Sequence, residues 1–341
     1  MAEQLQQTIG AGDTVFLTGA TGFIGSHVLR ALLAAQYSVR TLVRPGSRPL
    51  PPLEGYTAVA GDVLRPGDLV QHMAGCRYLV HVAALYSFSP GTHRKMFATN
   101  VGGCAGILEA AQQAGIERVV VTSSSSTVGP SHGGRPATED DWDVDAGSSA
   151  YHQSKLLQAR IALAAQVPVV LVLPTAPIGP GDWKPTPTGK MVVDFMRGRI
   201  FATLGGGLNI VAVEDVARAH VLALQYGRPR ERYLVGGENI GLSQLWERLA
   251  QICGRTAPTV RIPFRLALTL GWADDLRCQL FRKGKGGMAA PLIPLEGVRM
   301  ARHHMYVSSA KAQSELGYEA TSVTAALERA VRWYRDNGYA T

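Results

Sequence analysis

TVFLTGATGFIG, residues 14–25, is the stretch of sequence that decides the fold. The apolar run Thr14–Thr18 predicts a strand, and the apolar spacing of Gly22–Ala35 predicts a helix. Three glycines with the spacing GxxGxxG lie at the junction between the two. Glycine permits a tight turn and lets the backbone approach a pyrophosphate closely, while the helix start offers unpaired N–H groups. Strand, glycine turn and helix in this order predict a dinucleotide site.

Short β-branched runs alternate with helix-length segments through the first half of the chain. This alternation is typical of βαβ units and a parallel sheet. Further strands are predicted at Ser38–Val43, Tyr56–Ala60, Tyr78–Ala83, Arg118–Ser123, Pro168–Leu173 and Arg232–Gly237. We therefore predict an α/β fold, a Rossmann doubly wound parallel sheet with a smaller, mostly helical C-terminal substrate domain.

The amino-acid composition of the sequence changes after Pro174. The proline- and glycine-rich stretch Pro174–Pro187 predicts a loop or hinge. We expect the NAD(P)-binding domain to comprise residues 1–175 and about 211–237. The substrate-binding domain would then comprise about 176–210 and 238–341, with an interrupted boundary between the two.

Composition indicates a globular protein, with 46% hydrophobic and 18% charged residues. The four cysteines are dispersed and form no CxxC pair, so we expect neither a disulfide framework nor a metal site. A reduced, cytoplasmic location is the plain expectation. The first residues are polar, without the apolar core of a signal peptide, and no window reaches the length of a membrane span.

The net charge of +8 admits several anionic partners, namely lipid, nucleic acid and phosphorylated cofactors. No basic patch interleaved with aromatic residues supports nucleic-acid binding, so we expect none. The apolar stretch Ile262–Leu280 is interpreted either as an ordinary core-facing helix or as a cover over a hydrophobic substrate. Peripheral contact with lipid and a homodimer both stay open.

Two features bear on the dinucleotide. Arg44 follows the second predicted strand, where an NAD site would carry an Asp or Glu for the ribose. Arginine suits a 2′-phosphate, so NADP(H) is favoured and NAD(H) remains open. Asp62 follows the third strand, where its carboxylate can accept a hydrogen bond from the adenine amino group; the alternative is a turn or helix cap.

YHQSK, residues 151–155, places Tyr151 and Lys155 on one helix face. A phenol with a pKa of about 10 is a poor proton donor or acceptor at neutral pH, and a neighbouring ammonium lowers that pKa. A hydroxyl should complete the group at the end of the preceding strand, where Ser123–Ser126 stand in a row. Ser124 is our first choice and Ser125 our second; caps are the alternative for the rest.

These motifs together resemble an extended short-chain dehydrogenase/reductase over nearly the whole chain. They are TGATGFIG at 18–25, HVAA at 81–84, Asn100, VTSS at 121–124, YHQSK at 151–155 and LPTAPIGPGD at 173–182. The chain is similar to the NAD-dependent epimerase/dehydratase and dihydroflavonol 4-reductase branch. RERYLVGGEN at 230–239 and the segment 298–318 narrow the resemblance to the hopanoid-associated sugar epimerase group.

The resemblance implies a role for each matching residue. Ser124, Tyr151 and Lys155 would form a catalytic triad, and the last two would also contact the cofactor. The remaining cofactor contacts would come from Gly19, Thr21, Gly22, Phe23, Ile24 and Gly25 around the pyrophosphate, Arg44 at the ribose, Asp62 and Val63 at adenine, Ala83 at the cofactor ribose, and Pro174 and Thr175 beside the nicotinamide. Asn100 would serve as a structural or relay position, and Asp215 as a helix cap.

One departure from the family pattern reduces the number of reactions that we expect for this chain. Sugar 4,6-dehydratases carry an Asp-Glu pair beside the catalytic hydroxyl, and here Ser124–Ser126 occupy that place. We therefore expect a reversible NADPH-dependent reduction of a ketone on a small substrate, terpenoid- or sterol-like if the apolar segment covers it. A sugar-nucleotide epimerase with retained NAD is the alternative. A non-catalytic regulatory protein is disfavoured because both Tyr151 and Lys155 are present.

Overall fold

The computed structural model describes residues 12–87, 90–131, 133–142, 149–281, 298 and 302–340. Within these ranges the strands are β1 Thr14–Thr18, β2 Ser38–Val43, β3 Tyr56–Ala60, β4 Tyr78–His81, β5 Arg118–Thr122, β6 Val169–Pro174, β7 Ala176–Ile178, β8 Ala202–Thr203, β9 Gly207–Ala212, β10 Arg232–Val235, β11 Glu238–Gly241, β12 Val260–Arg261 and β13 His304–Met305. The α-helices are α1 Phe23–Ala34, α2 Leu69–Met73, α3 His93–Phe97, α4 Gly103–Gln113, α5 Ala150–Ala164, α6 Pro187–Met196, α7 Val213–Tyr226, α8 Leu242–Cys253, α9 Phe264–Phe281, α10 Ala310–Leu316 and α11 Val323–Asp336.

Seven parallel strands form the main sheet in the order β10-β6-β5-β4-β1-β2-β3. The chain moves outward from β1 to β3, then crosses to β4 on the other side of β1. The strand order therefore reverses between β1 and β4, which is the place where an open α/β sheet binds its ligand, outside the carboxyl ends of the strands. The predicted Rossmann fold is confirmed.

The central strands are continuous apolar runs because helices cover both faces of the sheet. Along β1, Val15 and Leu17 pack with α1 and α7 on one face, and Phe16 packs with α4 and α5 on the other. All three side chains are fully buried. Because successive side chains of a strand point to opposite faces of the sheet, one short apolar run contributes to two hydrophobic cores.

A second sheet is centred on β9. This strand pairs with β11 in antiparallel fashion and with β7 and β13 in parallel fashion. Helices α6, α8 and α11 pack on it through a separate core that includes Val192, Leu245 and Leu327. The short strands β8 and β12 pair with each other. The chain therefore leaves the main sheet after β6, returns at β10 and leaves again at β11.

The structure corrects parts of the element prediction. The stretch Pro174–Pro187, predicted as a loop or hinge, contains β7, whose pairing partner lies about thirty residues further along the chain. Asp215 does not cap α7: its carboxylate accepts hydrogen bonds from the N–H and the hydroxyl of Thr321, at 2.7 and 2.8 Å. Within the described ranges, no helix combines the length and the apolar character that crossing a membrane requires.

Candidate active site

The glycine turn is built so that a side chain cannot be added at two of its positions. Gly19 has φ +81°, and a Cβ atom there would lie 2.6 Å from the amide nitrogen of Ala83. A Cβ atom on Gly25 would lie 2.0 Å from the carbonyl oxygen of Gly19. The Gly22 N–H donates to that same oxygen at 2.9 Å. The turn is therefore pressed against both the end of β4 and the start of α1.

Helix α1 begins at Phe23 without a side-chain cap, because its N-cap residue is Gly22. The first N–H groups of a helix have no partner within it, and an anion is a suitable acceptor for them. Thr21, Phe23 and Ile24 line this turn and are partly buried. The residues present therefore fit the pyrophosphate of a dinucleotide.

The three residues predicted at the adenosine end follow β2 and β3, on the same sheet edge as the glycine turn. Arg44 is exposed and opens a turn in which the Ser47 N–H donates to its carbonyl at 3.0 Å. Asp62 accepts a hydrogen bond from the Leu64 N–H at 3.0 Å. The Val63 side chain is buried against Gly103, so only its backbone is available to a ligand.

The residues predicted near the nicotinamide also lie at the carboxyl ends of the strands. They are Ala83, Pro174 and Thr175. The Ala83 N–H donates to the Thr18 hydroxyl at 3.3 Å, and Pro174 is the last residue of β6. The Thr175 N–H donates to the Val235 carbonyl at 3.1 Å, and its hydroxyl donates to Asn209 Oδ1 at 2.9 Å. Asn209 lies in β9, so Thr175 joins the two sheets directly beside the crevice.

Two of the three predicted triad side chains lie near each other. The Ser124 side chain is close enough to the Tyr151 hydroxyl to lower the phenol pKa slightly, against the larger effect of burial. Ser124 caps the 3-10 turn of residues 125–127, with its Oγ accepting from the Ser126 N–H at 3.2 Å. Within the row of serines, the hydroxyls of Ser123 and Ser126 are buried without a protein partner. The geometry thus brings Ser124 to the tyrosine.

Burial governs the titration of Tyr151. It raises the pKa of the phenol to about 12, and the nearby Ser124 side chain opposes the shift only in part. The phenol therefore carries its proton at neutral pH and is able to donate it.

Lys155 lies one turn further along α5 and is buried. Its ammonium donates to the Thr122 carbonyl at 2.9 Å and to Gln158 Oε1 at 2.8 Å, and burial lowers its pKa to about 8. The sequence suggested that this ammonium lowers the pKa of Tyr151. In the structure the phenol pKa is raised instead, because burial disfavours the phenolate.

The structure adds Tyr86, which no motif singled out, and shows what the predicted structural residue Asn100 holds. The ring of Tyr86, 41% exposed, lies 4.2 Å from the ring of Tyr151. Asn100 holds the loop that carries Tyr86: its side chain accepts from the Leu85 N–H at 2.7 Å and donates to the Leu85 carbonyl at 3.0 Å. It also donates to Ser154 Oγ at 3.0 Å, which ties the loop to α5. Asn100 thus acts structurally.

Two buried histidines fix the strand ends around the site. His81 Nδ1 lies 2.8 Å from the Thr18 hydroxyl, and His220 Nε2 lies 2.7 Å from the Thr122 hydroxyl. Burial lowers the pKa of His81 to about 3 and that of His220 to about 4, so both rings are neutral at pH 7. They connect β1, β4, β5 and α7 without a charge.

The chain is similar to known proteins in sequence and fold. Residues 15–236 match the model of the NAD dependent epimerase/dehydratase family. A protein of Synechocystis sp. with the provisional name dihydroflavonol 4-reductase is 40% identical over 349 residues, covering 98% of each chain. Sterol demethylase protein B of Methylococcus capsulatus is 31% identical over 333 residues, covering 95% of this chain and 99% of its own.

Among solved structures, a nucleoside-diphosphate-sugar epimerase from Pseudomonas aeruginosa superposes with a TM-score of 0.79 at 25% identity, covering 97% of this chain and 100% of its own. The family model spans more than half of the chain, and the first relative aligns from end to end. The chain is therefore an NAD(P)-dependent oxidoreductase or epimerase of the NAD dependent epimerase/dehydratase family, within the extended short-chain dehydrogenases/reductases.

Proposed function

We propose that this enzyme reduces a ketone on a hydrophobic, terpenoid- or sterol-like substrate, or oxidises the corresponding alcohol, with NADP(H) as its cofactor. The observation that carries the proposal is the position of Ser124, at the end of β5, near the Tyr151 hydroxyl at the carboxyl ends of the strands, where the glycine turn also lies. Ser124, Tyr151 and Lys155 are the residues to which we assign the chemistry. Arg44, exposed beyond β2, is the residue to which we assign the preference for a 2′-phosphate.

Each group in this proposal has one role. The cofactor, when bound, supplies a hydride to the carbonyl carbon. Tyr151 donates its proton to the carbonyl oxygen, so that the two transfers together give the alcohol. Ser124 donates a hydrogen bond to the same oxygen and holds it beside the phenol. Lys155 fixes the end of β5 through the Thr122 carbonyl and supplies positive charge behind the site.

The titration of Tyr151 suits proton donation at neutral pH. A phenol with a pKa of about 12 is protonated throughout the neutral range, which is the state that proton donation to a carbonyl requires. The ratio of reduced to oxidised cofactor sets the net direction of the reaction.

The assignment of a hydrophobic substrate rests on Tyr86. Its exposed ring stacks beside Tyr151 and offers an apolar surface next to the proton donor. The relative named sterol demethylase protein B supports the same substrate class. In the alternative, a sugar-nucleotide epimerase with retained NAD, the same triad would oxidise and re-reduce one carbon; the epimerase among the solved structures supports it.

One experiment separates these readings. Purified full-length protein is incubated with NADPH or NADH and a panel of cyclic terpenoid ketones, steroid ketones and nucleotide sugars, while cofactor consumption is followed by absorbance. We expect NADPH oxidation with a polycyclic ketone, and a loss of about a hundredfold or more in Tyr151→Phe. Tightly retained NAD, together with interconversion of nucleotide sugars without net cofactor consumption, would establish the epimerase instead.

The preference for NADP(H) has its own test. Arg44→Asp removes the cation that we assign to the 2′-phosphate and supplies a carboxylate suited to a ribose hydroxyl. The ratio of the Kd values for NADP+ and NAD+, measured by titration, should shift by tenfold or more toward NAD+. An unchanged ratio would remove Arg44 from the cofactor site, while leaving the proposed reaction intact.

A further inference from the structure

Six large apolar side chains are exposed around α9, and we refer to them as the α9 face. They are Phe201, Val260, Leu266, Leu270, Trp272 and Leu276, with Phe201 74% and Trp272 68% exposed. Two of them are joined through a strand pair, because Val260 pairs with Ala202, the residue after Phe201. Strand β12 then leads within two residues into α9, which carries the other four.

Helix α9 is apolar on two sides, and the described chain covers one of them. Its covered side includes Ala267, Gly271 and Asp274, the last paired with Arg277 at 2.7 Å. Large apolar side chains of a helix are ordinarily turned toward a core, whereas Leu266, Leu270, Trp272 and Leu276 of α9 are exposed. Single exposed apolar residues are common, but six on one helix and the strand pair that leads into it indicate an interaction surface.

The charges on the N-terminal side of this surface are positive, and further along α9 the Asp274 carboxylate is paired with Arg277 at 2.7 Å. From Gly254 to Ala273 the charged residues are Arg255, Arg261 and Arg265, and each is exposed. In the part of the chain that the structure describes, none of the three forms a side-chain hydrogen bond or an ion pair. Arg255 also lines a cavity of about 360 Å³ with Thr256 and Ile200, next to Phe201. The surface thus combines apolar side chains with three unpaired guanidinium groups.

We propose that the α9 face binds the surface of a membrane that contains anionic lipid. The leucines and Phe201 enter the boundary between headgroups and acyl chains, Trp272 lies at the headgroup level, and the arginines pair with lipid phosphates. A lipid-associated position would bring the enzyme to hydrophobic substrates, but the surface and its charges are observed independently of the proposed reaction.

A second copy of this chain is the other occupant to consider, and the charges disfavour it. A two-fold interface uses the same patch of both copies, so it would gather Arg255, Arg261 and Arg265 of each copy in one interface. Bringing six cations together is repulsive, and the Asp274 carboxylate of each copy is already paired with Arg277. A lipid phosphate layer supplies the counter-charge that a second copy lacks.

The first test uses full-length protein and vesicle flotation, with phosphatidylcholine alone or with one third phosphatidylglycerol. We expect the protein to float with the anionic vesicles and much less with the neutral ones. Phospholipids brominated near the headgroup should quench part of the tryptophan fluorescence, and Trp272→Phe should abolish that quenching. No flotation with anionic vesicles, or unchanged quenching in Trp272→Phe, would overturn the proposal.

Matched variants distinguish vesicle binding through the α9 face from binding through the net charge of the protein. Replacing Arg255, Arg261 and Arg265 together by Gln should weaken vesicle binding by about a hundredfold, since each basic residue at an anionic surface contributes about 1 kcal/mol. The control replaces the exposed arginines Arg30, Arg160 and Arg332 by Gln, which removes the same charge elsewhere. Equal losses in the two triple variants would mean that the surface has no specific role.

The apolar part has a separate variant, Leu266, Leu270 and Leu276 replaced together by Ser. We expect flotation to fall at least tenfold while the Tm and the oligomeric state stay unchanged. A Tm lowered by several degrees would mean that the face packs within the chain. A dimer that dissociates in this variant, measured by light scattering, would mean that it packs on a second copy; either result contradicts the proposal.

Discussion

The rings of Tyr86 and Tyr151 lie 4.2 Å apart, with an angle of 34° between their planes. Tyr86 follows β4 and Tyr151 belongs to α5, so the contact joins two elements that flank the crevice. Asn100 maintains it by binding Leu85 on one side and Ser154 on the other. The candidate proton donor is therefore covered on one side by an aromatic ring that remains accessible to a substrate.

Replacement of Tyr86 tests whether that ring binds substrate. Tyr86→Ala should raise KM by roughly tenfold with a smaller effect on kcat, since burying a large apolar side chain contributes about 1.5–3 kcal/mol and only part of this ring would be covered by a substrate. Tyr86→Phe keeps the ring and should behave like the unmodified enzyme. Steady-state kinetics with a polycyclic ketone provide the measurement. If Ala and Phe variants share one KM, Tyr86 has no role in substrate binding.

The pH dependence of the reaction follows from Tyr151. Because its pKa is raised to about 12, the phenolate fraction grows about tenfold per pH unit below that value. Alcohol oxidation should therefore accelerate from pH 7 to pH 10, whereas ketone reduction should lack a tyrosine-dependent decline in the same range. Initial rates in both directions at saturating cofactor measure this. A reduction rate that declines with a midpoint near pH 7 would mean that the phenol pKa is lowered, as the sequence suggested.

Acid should destabilise the protein through its buried histidines. His81 and His220 have folded-state pKa values of about 3 and 4, below the ordinary 6.5. Between these values the unfolded chain binds protons that the folded chain excludes, so stability is lost as pH falls below 6.5. Each histidine should lower the free energy of unfolding by about 2 kcal/mol between pH 7 and pH 5.

Urea denaturation at several pH values checks this expectation. The midpoint should fall steadily below pH 6.5, with the m-value unchanged. His220→Gln retains a side-chain amide near Thr122 and should reduce the slope of stability against pH. A free energy of unfolding that stays constant from pH 7 to pH 5 would mean that the two rings accept protons in the folded state.

The third glycine of the turn admits a steric test. A Cβ atom at Gly25 would lie 2.0 Å from the Gly19 carbonyl oxygen, so Gly25→Ala must push α1 away from the turn. Such overpacking costs about 1–3 kcal/mol of stability, and it should weaken NADPH binding more than tenfold. Gly67→Ala is the matched control, since a Cβ atom there meets nothing within 4 Å. Equal NADPH affinities in the two variants would contradict a role of the turn in cofactor binding.

Local sequence signals predicted much of the fold. Neighbouring residues alone specify the glycine turn, the β-branched runs and the YHQSK helix. The strands of the main sheet end within a few residues of their predicted ends. Strand β7 was missed because its pairing with β9 depends on residues about thirty positions away. A proline-rich composition conceals such a strand.

The sequence predicted only part of the candidate site. Four consecutive serines left the register open, and the position of Ser124 near Tyr151 depends on how β5 and α5 pack. The engagement of Lys155 by the Thr122 carbonyl joins two elements that no motif connects. Tyr86 carries no motif at all: its position over Tyr151 follows from the Asn100 hydrogen bonds, which three-dimensional packing alone brings together.

The alternation of the chain between its two sheets limits how this enzyme can be rebuilt. Strands β7 and β9 of the second sheet lie between β6 and β10 of the first, and β11 follows immediately after β10. A new specificity therefore cannot be transplanted by fusing one contiguous C-terminal block from a relative. A chimaera would have to exchange two separate segments of the second sheet and preserve the hydrogen bond between Thr175 and Asn209 that joins the two sheets. Substitutions around Tyr86 would leave all connections between the sheets unchanged.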